Sequence, residues 1–306
     1  MNKNKIPNFF IVGAPKCGTT ALYEYLSSHP DVFLCDPKEP NYFSCDFANL
    51  SFVDNLSEYS DLFKKCNDNV KIIGEASAWY LYSETAIKNI YKFNNKAKII
   101  VIIRNPLDMM RSLHSNYLFN YYEDQTRIKD AWDLQEKRQQ GECIPKYCKE
   151  PKLLQYKAAT SLGTQLQRLY DVFPENQIKC ILFDDFVGDT KNTYESVLTF
   201  LELNSDNKLH FKKTNSSKTH KIEFINKYLL NPPGVFRYMW KNIKNVFGNR
   251  VVNYLDKMIL LNTRHMKPQG IDDELFNFFI NEYDEEIKKI SLIMNKDLSA
   301  WYANNK

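Results

Sequence analysis

The chain has 306 residues, a formal net charge of +4, and 43% hydrophobic and 25% charged residues. This composition is that of an ordinary globular protein that can bury a full core, and it excludes a disordered, collagen-like or low-complexity chain. No apolar run approaches the roughly 18 to 20 residues that span a bilayer, the run from Ile99 to Ile103 being short. We therefore expect no membrane span.

The N-terminus and the cysteines indicate the compartment. Polar Lys and Asn residues lead directly into a strand pattern without the apolar segment of a secretory signal, so we expect a cytoplasmic protein. Seven cysteines without a C-x-x-C pair are expected to be reduced thiols. Cys143 and Cys148 lie close in sequence, but no second pair or Cys/His cluster completes a tetrahedral site. We predict that the chain holds no metal.

Positive charge is concentrated between Lys212 and Arg250, where nine Lys or Arg residues accompany a single acid, Glu223. Such a segment is typical of a solvated helix face, and also of a face that lines an anionic ligand. The aromatic residues of this segment have a core-facing pattern rather than one interleaved for base stacking. We therefore expect no nucleic-acid partner.

Strand patterns alternate with helix patterns over the first 200 residues. Short apolar runs predict strands, and apolar residues at helical spacing predict helices. The predicted strands are Asn8–Val12, Lys71–Ile73, Lys98–Ile103 and Lys179–Phe183. The predicted helices are Thr19–Ser27, Leu107–Tyr117, Ile128–Gln139, Leu153–Val172 and Thr190–Leu201. The alternation predicts an α/β fold with a P-loop-like, doubly wound parallel sheet flanked by helices.

The C-terminal third has a different pattern. After about residue 221 the chain becomes helical, with breaks at Asn231–Gly234 and at Lys267 and Pro268. We expect this helical C-terminal part to pack against the sheet, so that residues 1–306 form a single domain.

The first strand leads into the loop Gly13-Ala14-Pro15-Lys16-Cys17-Gly18, and Thr19 and Thr20 begin a helix. A strand, a glycine-bearing loop and a helix N-terminus form an anion cradle, because unpaired main-chain N–H groups and the positive helix end point into the loop. The two glycines have the spacing of a nucleoside-triphosphate P-loop, but Thr19 stands where that motif requires Lys. The loop therefore predicts a phosphate-like ligand without being a standard ATP or GTP loop.

A second cation follows the clearest strand. Arg104 directly follows Ile103, at the carboxyl edge of the sheet where open α/β folds bind ligands. Ser112 lies eight residues further on, and a cation with a hydroxyl suits a second phosphate. Asp184 and Asp185 also follow an apolar strand, as the magnesium-binding acid of nucleoside triphosphatases does. We interpret them instead as closing the strand and capping the next segment.

These two motifs, in this order, resemble those of the sulfotransferases that use 3′-phosphoadenosine 5′-phosphosulfate (PAPS), and most closely the bacterial and heparan-sulfate-type branch. Further stretches match that pattern over nearly the whole chain. They are Lys38-Glu39-Pro40-Asn41-Tyr42-Phe43, Gly74-Glu75-Ala76-Ser77, Leu182-Phe183-Asp184-Asp185-Phe186 and Asp297-Leu298-Ser299-Ala300-Trp301.

The resemblance implies a role for each matching residue. The residues that would hold the 5′-phosphosulfate are Lys16, Cys17, Gly18, Thr19 and Thr20. Arg104 and Ser112 would hold the 3′-phosphate. A short match at Lys218, Thr219 and His220 resembles a late stretch that wraps the cofactor in heparan-type relatives.

The catalytic residues are also implied by the resemblance. Glu39 falls where this branch keeps its catalytic carboxylate, so it would accept the proton of the acceptor. Lys16 would neutralise the charge that builds on the bridging oxygen, and no metal is required. His114, near Ser112, is a rival base because the pKa of imidazole suits the task. One departure is Ala76, which stands where many relatives carry Lys.

The sequence thus predicts an enzyme that moves a sulfuryl group from PAPS to a hydroxyl or an amine by in-line displacement. The acceptor would be a small molecule or a saccharide. A P-loop nucleotide kinase or nucleotidase and a non-catalytic nucleotide-binding protein are the alternatives. The sequence determines neither the acceptor nor the oligomeric state.

Overall fold

The computed structural model describes residues 5–47, 49–212, 218–220, 263–265 and 270–304. Its main sheet has five parallel strands in the order β2-β3-β1-β4-β5. In chain order these are Phe9–Gly13 (β1), Val32–Leu34 (β2), Ile72–Ala76 (β3), Lys98–Ile103 (β4) and Ile178–Leu182 (β5). A second, antiparallel pair consists of Lys218–His220 (β6) and Thr263–His265 (β7).

The described part of the chain contains eleven α-helices. The first six α-helices are Thr19–Ser27 (α1), Leu56–Asp61 (α2), Ala86–Phe93 (α3), Pro106–Phe119 (α4), Ile128–Asp133 (α5) and Gln135–Gln139 (α6). The next five are Tyr156–Thr160 (α7), Leu162–Tyr170 (α8), Phe183–Gly188 (α9), Thr190–Phe200 (α10) and Asp273–Met294 (α11). Short 3-10 helices lie at Pro151–Leu154, Glu175–Gln177 and Ser299–Tyr302.

The centre of the sheet is covered on both faces. Every residue of β1 is buried, and so is every residue of β4 except Lys98. Strands that are apolar at consecutive positions belong to a parallel sheet with helices on both sides. The predicted α/β class and the doubly wound parallel sheet are confirmed.

Several elements differ from the predicted ones. The strand β2 has only three residues, which is too short for a periodic signal, and α2, α3 and α9 were not predicted either. The predicted helix at Leu153–Val172 is divided into a 3-10 turn, α7 and α8. Thr263–His265 is a strand rather than part of a helix, because it pairs with the distant β6.

The predicted helical C-terminal part is confirmed for α11, which packs against α8 in the same compact unit. Gly163 permits the contact, since a Cβ atom there would lie 2.6 Å from the main-chain oxygen of Glu286. The Glu286 carboxylate accepts hydrogen bonds from the main-chain N–H and the hydroxyl of Thr164, at 2.7 and 2.6 Å. The breaks expected at 231–234 and at 267 and 268, and most of the basic segment 212–250, lie outside the described residues.

The chain divides into two compact units. One comprises residues 1–110, 155–215 and 271–306, and the other comprises residues 111–154 and 216–270. The second unit contains a fully buried ion pair in which Arg138 donates to both carboxylate oxygens of Glu123 at 2.6 Å. This division does not determine whether the units fold separately, so the single domain over 1–306 stays a prediction.

Among the described helices, none combines the length and the apolar character that a bilayer crossing needs.

Gly74 sets the distance between β3 and β1. A Cβ atom at this position would lie 2.3 Å from the main-chain oxygen of Phe9, so Gly74→Ala would push the two strands apart. We expect this change to lower the free energy of unfolding by about 1 to 3 kcal/mol, the usual cost of overpacking. Gly188→Ala is the matched control, because nothing lies within 4 Å of its added Cβ. Urea denaturation of both variants is the measurement, and equal stabilities would contradict the close approach.

Candidate active site

The loop between β1 and α1 has the shape of an anion cradle. Lys16 and Gly18 both have left-handed main chains, with φ angles of 64° and 88°. Gly18 is the N-cap of α1, and no side chain caps this helix. The first-turn N–H groups at Thr19 and Thr20 have no acceptor within the helix and lie at its positive end. The loop can therefore bind an anion through main-chain groups.

Glycine is required at position 18 for a second reason. A Cβ atom there would lie 3.1 Å from the Phe186 ring and 3.3 Å from the Phe183 ring, in addition to the unfavourable left-handed conformation. The aromatic rings of α9 thus pack closely against the loop and fix its path.

The Cys17 side chain points into the core rather than into the cradle. Its thiol lies 3.4 Å from the Pro15 carbonyl oxygen and 4.0 Å from the Met109 sulfur. Burial raises the pKa of this thiol to about 12, although the charges of Arg104 and Lys16 oppose the shift. Cys17 is therefore an inert packing residue, and its predicted part in ligand binding is limited to its main chain. The same interactions show that both cations lie near this thiol.

Arg104 extends from the carboxyl end of β4. Its guanidinium carbon lies 4.7 Å from the centre of the Phe183 ring, and its Nη2 lies 3.5 Å from an Asp108 oxygen. Its Nε is buried and has no hydrogen-bond partner among the described residues. A buried donor without an acceptor costs about 1 to 3 kcal/mol. An anionic oxygen at this edge would remove that cost, so the residues present fit a phosphate group.

The C-terminal segment fixes the surroundings of Arg104. The Trp301 indole donates to an Asp184 oxygen at 3.0 Å, and the Asn105 side chain donates to the Trp301 carbonyl oxygen at 3.1 Å. Lys296 forms an ion pair with Asp185. Both acids at the start of α9 thus contact the C-terminal segment, and no side chain caps α9 as had been expected of them. Within the described part of the chain, no group of three or more His, Cys, Asp or Glu residues could hold a metal ion.

Glu39 lies in the connection that follows β2. Its main chain is left-handed, with a φ angle of 64°, and its N–H donates to the Ala76 carbonyl oxygen at the end of β3, at 3.1 Å. The Lys38 ammonium lies 2.5 Å from a Glu39 carboxylate oxygen. The Glu39 side chain is 36% exposed, so an acceptor can reach it. The carboxyl ends of β1, β3 and β4 lie on neighbouring strands. Lys16 follows β1, Arg104 follows β4, and the end of β3 contacts Glu39.

Sequence reasoning missed the role of a buried carboxylate beside Glu39. Glu75 is completely buried and accepts hydrogen bonds from the hydroxyls of Tyr59 and Ser77, both at 2.8 Å, and of Tyr80 at 3.1 Å. Burial raises the pKa of this carboxyl to about 7. An acid within the apolar strand pattern Ile72-Ile73-Gly74-Glu75-Ala76 was the available signal.

Ser112 and His114 both lie on α4, in the part that belongs to the second unit. Ser112 is buried. The Nε2 of His114 lies 2.8 Å from the Gln125 carbonyl oxygen, so this nitrogen carries the proton and donates it. Burial lowers the pKa of His114. Burial disfavours the imidazolium that a base would have to form, so His114 is a poor candidate for the base.

The late stretch Lys218–His220 forms β6. Its main chain pairs with β7 in the register Lys218 with His265, Thr219 with Arg264 and His220 with Thr263. The side chains of this stretch lie outside what the structure describes, so its contact with a cofactor stays a prediction, as does that of Ser112.

The fold and the site define an α/β protein whose parallel sheet has, at its carboxyl edge, a loop that can bind an anion. The family model "Sulfotransferase domain" matches residues 7–265, and the chain belongs to this family of transferases. In a structural comparison, a sulfotransferase from Alicyclobacillus acidocaldarius has the same fold, with a TM-score of 0.72 and 23% identity over 97% of this chain and 99% of that chain.

Two human relatives show how far the sequence similarity extends. Carbohydrate sulfotransferase 15 from Homo sapiens is 27% identical over an alignment 253 positions long, and the match covers 65% of this chain and 44% of that protein. The human bifunctional heparan sulfate N-deacetylase/N-sulfotransferase 3 is 31% identical over 128 residues, which are 41% of this chain and 14% of that protein. The chain spans less than half the length of both relatives.

Proposed function

We propose that the chain transfers a sulfuryl group from PAPS to a hydroxyl or an amine of an acceptor. The observation that carries the proposal is the buried Arg104 Nε without a partner among the described residues, at the edge that also carries the left-handed loop of Lys16. Two anion sites on neighbouring strands, β1 and β4, suit a ligand with two phosphate groups. Membership of the sulfotransferase family supports the same reaction and does not favour a nucleotide kinase.

PAPS supplies a sulfuryl group that is activated by its 5′-phosphate. In an in-line displacement the acceptor atom bonds to sulfur, the bond from sulfur to the bridging oxygen breaks, and the electron pair stays on the phosphate. The Lys16 ammonium and the N–H groups at the start of α1 stabilise the negative charge that grows there. Their fixed positions mean that little reorganisation is needed during the reaction.

The acceptor loses a proton as it attacks, and Glu39 receives it in this proposal. Its carboxylate is partly exposed and is held beside the end of β3 by the hydrogen bond to the Ala76 carbonyl oxygen. The Lys38 ammonium forms an ion pair with the carboxylate. Lys38 also provides a cation near the acceptor side, where Ala76 supplies none.

The names of the relatives support a saccharide as the acceptor, because they describe carbohydrate and heparan sulfate sulfotransferases. A small-molecule hydroxyl or amine is the other acceptor class in this proposal. A cytoplasmic location also stays a prediction.

The proposal is tested with PAPS that carries a radiolabelled sulfate. Purified protein is incubated with a desulfated heparin oligosaccharide, which offers both hydroxyls and amines, and with a simple phenol. We expect label on an acceptor, with activity unchanged by EDTA because the proposed mechanism uses no metal. PAPS binding without transfer to any acceptor would favour the non-catalytic alternative, and activity that requires magnesium and ATP would favour a kinase.

Arg104 is predicted to recognise the 3′-phosphate. Arg104→Ala should weaken PAPS binding by about 2 to 4 kcal/mol, the scale for removing one partner of a buried charged contact. Binding of adenosine 5′-phosphosulfate, which lacks the 3′-phosphate, should change little. Titration calorimetry with both ligands is the measurement, and Arg127→Ala at an exposed position is the control. Equal binding of the two ligands by the unmodified protein would refute the assignment.

Lys16 is predicted to act mainly on the transition state, because the negative charge near it grows as the sulfuryl group leaves. Lys16→Ala should lower kcat about 100-fold or more, as does the loss of an oxyanion donor, while adenosine 3′,5′-bisphosphate still binds. The exposed Lys88 provides the matched control, Lys88→Ala. A Lys16 variant with nearly normal turnover would exclude this role.

Glu39 and His114 are compared directly as bases. Glu39→Gln keeps the shape of the side chain and removes its basicity, so kcat should fall by about 100-fold or more with PAPS affinity unchanged. His114→Ala should leave the pH dependence of kcat intact, because burial disfavours the imidazolium that a histidine base would have to form. The measurement is kcat against pH with one identified acceptor. Loss of turnover in the histidine variant alone would make His114 the base.

A further inference from the structure

The buried carboxylate of Glu75 is not used by the proposed mechanism. It lies near the carboxyl end of β3 with no exposed surface, and none of the ion pairs among the described residues includes it. Three hydroxyls donate to it, from Tyr59 on α2 and from Ser77 and Tyr80 in the connection after β3. A buried carboxylate without a cation is costly, so this arrangement calls for a physical explanation.

Two of the three hydroxyls connect Glu75 to the loop that carries Glu39. The Ser77 hydroxyl oxygen accepts a hydrogen bond from the Asn41 N–H at 3.1 Å, and the Tyr80 hydroxyl oxygen accepts one from the Phe43 N–H at 3.3 Å. The chain of contacts thus runs from the carboxylate through a hydroxyl to the main chain of the loop 38–43. Glu39 lies at the start of this loop.

The main chain of this loop needs such support. Glu39 and Asn41 both adopt left-handed conformations, with φ angles of 64° and 52°. For residues other than glycine this conformation is unfavourable and persists only where the surroundings hold it. The N–H groups of Glu39, Asn41 and Phe43 are all anchored to β3 or to the connection after it. The anchors therefore determine where the Glu39 carboxylate is presented.

The hydrogen-bond directions fit the ionised form of Glu75. A hydroxyl has one donor and two acceptor sites, so Ser77 and Tyr80 can donate to a carboxylate and still accept an N–H from the loop. A neutral carboxyl would place its own proton among three hydroxyls that already point toward it. At least one hydroxyl would then have to turn away, and the connection to the loop would weaken.

We propose that Glu75 is a positioning residue whose ionised carboxylate, acting through Ser77 and Tyr80, holds the loop 38–43 and thereby orients Glu39. This inference rests on the proposed function, in which Glu39 receives the acceptor proton.

Titration of Glu75 makes the connection dependent on pH. Burial raises the pKa of Glu75 to about 7, the three hydroxyls lower it in part, and the negative charge of Glu39 raises it. The other titratable groups that face it are Tyr59, Tyr80 and the thiol of Cys35, and the negative charge of Glu75 helps to raise the pKa of each. As the pH falls through about 7, Glu75 takes up a proton and the loop loses its anchor. The ordering of the loop should therefore be greatest above neutrality.

The direct test is hydrogen exchange of the segment 38–43, followed by mass spectrometry, which needs no acceptor. Ser77→Ala removes one link, and Glu75→Gln removes the charge. Ser83→Ala is the matched control, because Ser83 is a buried serine that accepts main-chain N–H groups elsewhere. We expect the segment to exchange about 10-fold faster in the first two variants. In the control it should exchange at the rate of the unmodified protein. If Ser77→Ala and Glu75→Gln both exchange at the rate of the unmodified protein, the inference is overturned.

Turnover provides a second readout, with PAPS and the desulfated heparin oligosaccharide. Ser77→Ala should lower kcat about 10- to 100-fold, the scale for a misplaced catalytic group, while KM for PAPS and the melting temperature stay close to those of Ser83→Ala. In Glu75→Gln the acidic limb of kcat near pH 7 should disappear. If Glu75→Gln has a lower melting temperature but keeps the acidic limb of kcat, the role of Glu75 is merely structural.

Glu39→Gln separates this inference from the proposed function. If Glu39→Gln keeps normal turnover, the base assignment fails, whatever the other variants show. If Glu39→Gln loses turnover while Ser77→Ala and Glu75→Gln keep both normal exchange and normal kcat, the proposed function stands and the role of Glu75 is refuted.

Discussion

The close approach of β3 to β1 at Gly74 is the constraint on which the site depends. With the Phe9 carbonyl oxygen in contact with position 74, the two strands pack at a fixed distance, and Phe10 lies in register with Glu75. Because β4 pairs with the other side of β1, the carboxyl ends of β3, β1 and β4 lie side by side. The parallel sheet thus places the connections that follow these three strands next to one another.

These connections separate charges of opposite sign. The connections after β1 and β4 carry the cations Lys16 and Arg104, and both cations lower the pKa of the intervening Cys17 thiol. The side of β3 carries two carboxylates, that of Glu39, which is partly exposed and paired with Lys38, and that of Glu75, which is buried without a cation. A cationic side suits phosphate and sulfate oxygens, and a carboxylate side suits the proton of an acceptor. In the proposed function, the two halves of the group-transfer reaction therefore lie on neighbouring strands.

Much of the fold could be predicted from local sequence patterns. The predicted bounds of α1 and β4 agree with the structure because a glycine-bearing loop precedes one and a continuous apolar run forms the other. Pairing over long distances in sequence left no such signal, so the strand Thr263–His265 was missed. The break of the helical pattern after Thr160 was also missed, since the nearest glycine, Gly163, lies within α8 and not at the break.

The candidate site was predictable only in part. Lys16 and Arg104 follow clear strands, whereas Glu39 was found through the resemblance to sulfotransferases, which gave each of the three a role. The network around Glu75 was not predictable in this way, because Tyr59 and Ser77 come from different elements and meet only in the fold. An isolated acid in an apolar strand indicates that buried hydrogen-bond donors must contact its carboxylate. The sequence does not say which hydroxyls they are.

The most direct measurement of the central claim is a crystal structure of the chain with adenosine 3′,5′-bisphosphate. The account predicts the 5′-phosphate at the N–H groups that begin α1, beside Lys16, and the 3′-phosphate oxygen within hydrogen-bonding distance of the Arg104 Nε. A nucleotide bound away from the carboxyl ends of β1 and β4, with the Arg104 Nε still without an acceptor, would contradict the account.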